Sequence, residues 1–200
     1  MEKHFQNKEE TMDNYQVVCD MIRQQLASVV WTHKIQEKQA DIFSERYSRL
    51  ETANIFVAAL TTCGIVGLFF QNENSIWLKL LTAFFSFATL AISAYYKSFD
   101  PLAKAKMNKD AANKLIGIRN DFISLIADCH IQVKTAEEVK SEFDELQKQL
   151  NQMYLELPST SNMAVKRASI ALKNNEYSFS DDEIDCFLVS SLKGKVKVKE

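Results

Sequence analysis

Two long stretches near the middle of the chain almost lack charged side chains. The first runs from Asn54 to Phe70 without a charge, and the second runs from Ile76 to Tyr96 with Lys79 as its only charge. A helix of about 20 residues rises roughly 30 Å, which is the hydrocarbon thickness of a membrane. The pattern therefore predicts two transmembrane helices, 54–70 and 76–96. A buried helical hairpin of a soluble protein is the alternative.

The flanks of these stretches predict an orientation. Only residues 71–75 separate the two stretches, so the helices form a tight antiparallel hairpin. Arg46 and Arg49 precede the first helix, the loop carries only Glu73, and four cations follow the second helix: Lys97, Lys104, Lys106 and Lys109. The positive-inside rule then places both termini in the cytoplasm and the loop outside, with the protein in the inner (plasma) membrane.

Apolar residues at helical spacing flank the hairpin on both sides. Before it they are Tyr15, Val18, Ile22, Leu26, Val29, Ile42, Phe43, Tyr47 and Leu50. After it, Asp100 and Pro101 are typical of a helix N-cap with proline at the first position, and the next stripe is Leu115, Ile118, Phe122, Leu125 and Ile126. The two stripes predict long helices that pack together as a cytoplasmic stalk, with a kink near Pro101.

The rest of the chain predicts further helices. Thr135 and Glu138 form a capping-box pattern, and an amphipathic, coiled-coil-like helix over 131–157 follows with its seam at Val139, Phe143, Leu146, Leu150, Met153 and Leu157. This seam either packs back on the stalk or pairs between protomers. Residues 158–200 predict short helices, one near Ala164 to Leu172 and one capped at Ser180, and a basic tail. The predicted domain organisation therefore has four parts, since a polar N-terminal tail (1–12) and a two-transmembrane unit (13–130) precede the segments 131–157 and 158–200.

Composition supports an all-α membrane protein and argues against catalysis. Four Gly and two Pro are too few for the turns of a many-stranded sheet. The 24 basic and 26 acidic residues nearly cancel, so direct nucleic-acid binding is not expected. The cysteines and histidines are scattered without the spacing of a metal site, and no glycine-rich phosphate loop occurs. We therefore expect no enzyme activity, no cofactor and no metal.

Two rows of residues within the spans are candidates for function. Ala59, Cys63 and Gly67 have the small-xxx-small spacing of a helix contact, so their predicted role is helix packing. The second row consists of hydroxylated residues on one face of the second span: Thr82, Ser86, Thr89 and Ser93. Hydroxyl groups can bond back to their own helix or across a helix contact, and they can also line a mildly polar pore if several hairpins assemble around an axis.

The arrangement from Ile22 to Cys129 resembles the SLATT family, the SMODS and SLOG-associating two-transmembrane effector domains. The likeness rests on the lead-in YSRLETANIFVAALTTCGIVGLFF, the short polar loop, and the second span running into FDPLAKAKMNKDAANKLIGIRNDFISLI. Tyr47 and Arg49 belong to this lead-in. The helices from Thr135 onward have no counterpart that we assign from the sequence.

The resemblance implies a membrane effector of bacterial antiphage defence. Such a protein is expected to oligomerise with copies of itself, to form a pore or disrupt the lipid bilayer, and to cause abortive-infection cell death. The implied partner is a sensor or signal-generating protein of the same locus, either a nucleotide synthase or a reverse transcriptase. The residues alone fit equally well a non-conducting anchor that recruits a soluble partner through its cytoplasmic helices.

Overall fold

The computed structural model describes residues 2–70 and 76–174, with side-chain surroundings over 15–67 and 76–174. These residues form five helices and no strand, which confirms the all-α expectation. The helices are α1 (Glu2–Phe70), α2 (Ile76–Phe99), α3 (Pro101–Ile131), α4 (Ala136–Glu156) and α5 (Asn162–Lys173). The predicted loop 71–75 and the capping signal at Ser180 with Glu183 lie outside the described residues.

The first helix joins the stalk to the membrane hairpin without a break. α1 has 69 residues, which at 1.5 Å per residue gives a rod about 100 Å long. No proline occurs before Pro101, and the glycines of α1, Gly64 and Gly67, lie near its membrane end, so nothing in the stalk interrupts the hydrogen-bond ladder. Residues 2–12, expected as a polar tail, are part of this helix.

A single residue separates α2 from α3. Asp100 has φ 34° and ψ 69°, a left-handed conformation that Asp tolerates better than most residues. Its amide donates to Tyr96 O at 2.9 Å, and its carboxylate accepts from Ala103 N at 3.0 Å. Pro101 occupies the first turn of α3, where the missing N–H costs nothing. The predicted cap is confirmed, and the chain changes direction there while both helices continue to pack along α1.

The stalk has its apolar core at the end farthest from the hairpin. The buried side chains of this core come from α1, α3 and α4 and comprise nine of the twenty predicted stripe residues together with Cys129: Ile22, Val29, Leu115, Ile118, Phe122, Leu125, Cys129, Val139, Phe143 and Leu150. Each large aliphatic or aromatic side chain that is fully buried contributes about 1.5–3 kcal/mol. This core therefore stabilises the long α1–α3 pair independently of the membrane.

α4 packs back on the stalk, which is one of the two arrangements left open by its seam. The capping box is present, with Thr135 N donating to Glu138 Oε2 at 2.8 Å and Glu138 N donating to Thr135 Oγ1 at 3.3 Å. The Phe122 and Phe143 rings meet edge to face at a centroid distance of 6.2 Å. Because Val139, Phe143 and Leu150 are buried within one chain, they are not available to a second protomer.

A layer of polar side chains lies in the stalk between the apolar core and the hairpin. Its buried members are His33, Lys34, Gln36, Gln39 and Asn108. Lys34 Nζ lies 3.0 Å from Glu37 Oε2, and Lys109 Nζ lies 3.9 Å from Glu37 Oε1. Burial alone would raise the pKa of Glu37, but the hydrogen bond from Lys34 and the neighbouring positive charges outweigh it and lower that pKa. Burial lowers the pKa of His33. Of these contacts, the ion pair between Lys109 and Glu37 connects α3 to α1.

Candidate membrane hairpin

The two charge-poor stretches lie in helices that the protein itself leaves largely uncovered. None of the most apolar 18-residue window of the first helix is buried, and only 6% of that of the second is. The exposed side chains include Ile55, Phe56, Leu60, Ile76, Trp77, Leu80, Phe84, Phe87 and Leu90. Such a surface is far too apolar for a monomer in water. A hairpin buried inside a soluble protein would be covered by the rest of the chain, whereas this one is exposed, and both helices are long and apolar enough to cross a membrane.

Gly64 lies at a close approach between α1 and α2. A Cβ atom built on Gly64 would lie 2.4 Å from Thr82 Oγ1, whereas one built on Gly67 would lie 3.6 Å from Leu78 Cδ2. Thr82 is buried in this contact. A small residue at position 64 is therefore required for the helices to pack as they do, as small residues commonly are in membrane-helix contacts.

The hydroxyl row lies along one border of this helix contact. Thr82 is buried, Thr89 is half-buried, and Ser86 and Ser93 are exposed. Thr82 Oγ1 donates to Leu78 O at 2.8 Å, and Thr89 Oγ1 donates to Phe85 O at 3.0 Å. The two threonines therefore satisfy their own donors within α2. The two serines are exposed within one chain, so a neighbouring molecule can contact them.

The predicted row of small residues, Ala59, Cys63 and Gly67, does not lie on a single side of α1. Gly67 is half-buried beside Leu78 of α2, while Ala59 and Cys63 are exposed. The side of α1 that faces α2 is formed by half-buried residues at another helical phase: Asn54, Val57, Ala58, Thr61 and Gly64. Packing by Ala59 and Cys63 remains a prediction, and their partner would have to be another molecule.

Aromatic residues mark the stalk end of the hairpin. The Tyr47 and Tyr96 rings lie 5.6 Å apart, and Tyr96 OH donates to Tyr47 O at 3.3 Å. Tyr95 stacks on Phe99 at 4.6 Å. At the opposite end of α2, Trp77 is 79% exposed. Tyrosine and tryptophan are enriched at the two membrane–water interfaces, so these positions delimit the span of α2.

The contact that holds α5 against α1 was not predicted from the sequence. Ser161 N and Ser161 Oγ each donate to Gln39 Oε1 at 2.8 Å, and Arg167 donates to both carboxylate oxygens of Glu45 at 2.6 and 3.0 Å. The Arg167 hydrogen bond lowers the pKa of Glu45 and raises that of Arg167. The buried face of α5 consists of Ala164, Ala168 and Ala171. Because alanines bring the two backbones close together, these polar side chains reach each other.

Over the described residues, no group of three or more His, Cys, Asp or Glu side chains is arranged to hold a metal ion. His33 lies in the stalk layer, and His130 lies beside Cys129 at the far end of α3. The interactions that the described residues provide are therefore helix packing and hydroxyl hydrogen bonds in the hairpin, and ion pairs in the stalk.

Residues 18–183 match the model of the SMODS and SLOG-associating 2TM effector domain family 4. The chain belongs to this family. The SLATT match confirms the resemblance, and it extends beyond Cys129 over α4 and α5, which the sequence analysis did not assign to the family. The protein is thus a two-transmembrane effector domain whose family is named for association with SMODS and SLOG proteins of defence systems. No curated protein and no solved structure matches the chain.

Proposed function

We propose that this SLATT protein is a pore-forming effector of antiphage defence, in which several copies assemble in the inner membrane and permeabilise it when a partner senses infection. The observation that carries the proposal is the arrangement of one hairpin. Its α1 side presents small residues at Ala59 and Cys63, and its α2 border presents the exposed hydroxyls of Ser86 and Ser93. A single hairpin leaves both surfaces without a protein partner.

Assembly around an axis gives each surface a role. The small residues of one copy pack against a span of the next, because close packing drives helix association in lipid. The exposed members of the hydroxyl row, Ser86 and Ser93, then face the axis, and the exposed Phe84, Phe87 and Leu90 face lipid or neighbouring helices. A pore lined by hydroxyls has no fixed charge, so we expect weak ion selectivity.

The trigger acts on the cytoplasmic stalk in this proposal. α1 and the α2–α3 pair connect the stalk directly to both spans, so a change in stalk packing is transmitted to the hairpin. The partner that supplies the trigger is a sensor or signal-generating protein of the same locus, either a nucleotide synthase or a reverse transcriptase. Both termini lie in the cytoplasm, where that partner is present.

Ion flux through reconstituted protein tests the proposal. Purified protein in vesicles loaded with a self-quenching dye, together with the partner from its locus, is expected to release the dye. Ser86→Leu with Thr89→Leu should abolish release while insertion and melting temperature are retained. Phe87→Leu is the matched control, since Phe87 is 69% exposed and lies outside the hydroxyl row. Undiminished release by the double variant removes the row from the pore lining.

A non-conducting anchor is the second candidate, and exposed apolar residues in the C-terminal helices favour it. Leu155 is 88% exposed and Ile170 is 58% exposed, and such side chains suit a protein partner. An anchor recruits its partner to the membrane without leakage. Deletion of residues 135–200 should then abolish recruitment, and the intact protein should never release the vesicle dye.

A further inference from the structure

α5 runs parallel to α1 in a constant register. Gln36 Nε2 donates to Pro158 O at 3.0 Å, Ser161 donates to Gln39, and Arg167 donates to Glu45. Each pair is separated by 122 residues. Because both numbers rise together, α5 runs along α1 towards the hairpin, and its C-terminal end is its end nearest the membrane.

This register places the end of α5 at the membrane surface. With the same offset of 122 residues, Lys173 lies at the level of Glu51, about three residues before the first span begins at Asn54. Three residues of helix rise about 4.5 Å. Lys173 is exposed, so its ammonium group reaches the zone of the lipid headgroups.

Exposed cations on three helices lie within about ten residues of the start of the first span. They are Arg46 and Arg49 on α1, Lys97 on α2, and Lys166 and Lys173 on α5. The acidic groups nearest these cations are Glu45, Glu51 and Asp100. Arg167, which is not one of the five cations, donates to both carboxylate oxygens of Glu45, so the five cations face only two further carboxylates, those of Glu51 and Asp100. The five residues, hereafter the cationic collar, therefore present net positive charge to their surroundings.

We propose that the cationic collar binds the phosphate headgroups of anionic phospholipids in the cytoplasmic leaflet. In this proposal α5 is a lipid-binding element that Glu45 and Gln39 hold parallel to α1. Charge complementarity identifies the partner, since each Lys or Arg near an anionic membrane surface is attracted to it and the attraction falls off within a Debye length.

Native mass spectrometry of the full chain in mild detergent tests this proposal. Titration with phosphatidylglycerol at low ionic strength is expected to show tighter binding than titration with phosphatidylcholine. Lys166→Gln with Lys173→Gln should weaken phosphatidylglycerol binding roughly tenfold, because two charges near the headgroups are removed. The matched control is Lys114→Gln with Lys148→Gln, which removes two exposed lysines from the part of the stalk farther from the hairpin and should leave the affinity unchanged.

A second variant tests the role of α5 as a whole. Arg167→Ala removes the contact with Glu45, so it should weaken phosphatidylglycerol binding although Arg167 is not itself part of the collar. Equal binding of the two lipids, or an equal loss in the control pair, overturns the proposal. Displacement by soluble glycerol phosphate at matched concentration overturns the lipid assignment in favour of a free-phosphate site. None of these readouts depends on whether the protein conducts ions.

Discussion

Gly64 and Thr82 face each other across the hairpin so closely that a Cβ atom on Gly64 would lie 2.4 Å from Thr82 Oγ1. That hydroxyl also donates to Leu78 O at 2.8 Å, so it cannot move aside without breaking a hydrogen bond. Thr82, which lies at the border of the hydroxyl row, therefore fits against α1 only because Gly64 has no side chain. This contact fixes how α2 is rotated relative to α1, and with it the direction of the row.

We expect Gly64→Ala to destabilise the hairpin by about 1–3 kcal/mol, the usual range for an overpacked contact. Gly67→Ala is the matched control and should be close to neutral, because its new methyl group would meet Leu78 at an ordinary 3.6 Å. Unfolding in mixed micelles with increasing dodecyl sulfate measures both. Adding Thr82→Ala should restore most of the stability lost in Gly64→Ala, and failure of this rescue would place the strain elsewhere.

The packing of α4 within one chain predicts a sharp difference between two of its residues. Phe143→Ala should lower the free energy of unfolding by about 3–5 kcal/mol, because Phe143 is 2% exposed and contacts Phe122. Leu155→Ala should change it by less than about 0.5 kcal/mol, because Leu155 is 88% exposed. Denaturant unfolding followed by circular dichroism is the measurement. A concentration-dependent loss for Phe143→Ala would indicate pairing between protomers instead.

Much of this architecture was predictable from the sequence, because it depends on local patterns. The capping signals at Thr135 and Asp100, the helix stripes and the two spans each follow from residues a few positions apart. The contacts of Gln39 with Ser161 and of Glu45 with Arg167 were not predictable, since 122 residues separate the partners. Periodicity identifies the apolar face of a helix but does not say which helix covers it.

The same limit applies to the candidate site. The small-xxx-small spacing drew attention to Ala59 and Cys63, yet the contact with α2 uses Gly64 at a different phase of the helix. A span surrounded by lipid is apolar on every side, so its sequence gives little information on which side meets another helix. The hydroxyl row could be placed on one face of α2, but its position at the border of the contact required the structure.

Burial predicts that Cys129 reacts slowly with alkylating reagents. Burial and the hydrogen bond with Cys19 raise its pKa to about 12, so at pH 8 on the order of one molecule in 10⁴ carries the reactive thiolate. We expect modification by iodoacetamide only when the stalk unfolds. Mass spectrometry of peptides after timed alkylation measures this, and rapid labelling of Cys129 in the folded protein would contradict the packed core.

The raised pKa also predicts a pH dependence. The folded state holds the neutral thiol, so its stabilising effect is fully present below the ordinary pKa of 9.0 and is lost as the pH rises towards 12. The melting temperature should therefore fall more steeply above pH 9 in the parent protein than in Cys129→Ala, where no thiol titrates. Parallel curves for the two proteins would show that Cys129 makes no contribution.

The contact between Glu45 and Arg167 predicts a reversible release of α5. Glu45→Arg should speed hydrogen exchange along α5, and adding Arg167→Glu should restore protection by reversing the pair. The pKa of Glu45 is lowered, so the contact is fully formed above the ordinary value of 4.5 and is lost as the pH falls through the lowered pKa. Hydrogen exchange followed by mass spectrometry measures both effects. If the exchange rates in α5 were the same in the parent and in both variants, the alanine face alone would hold α5 against α1.

Membrane potential in living bacteria tests the pore-forming role most directly. Cells that express the protein from a tightly controlled promoter, with and without the neighbouring genes of its locus, are followed with a voltage-sensitive dye. We expect depolarisation to precede the loss of viability, and we expect Ser86→Leu with Thr89→Leu to abolish it while Phe87→Leu does not. Cell death with an intact membrane potential, from protein that is correctly inserted, would contradict pore formation and favour the membrane anchor.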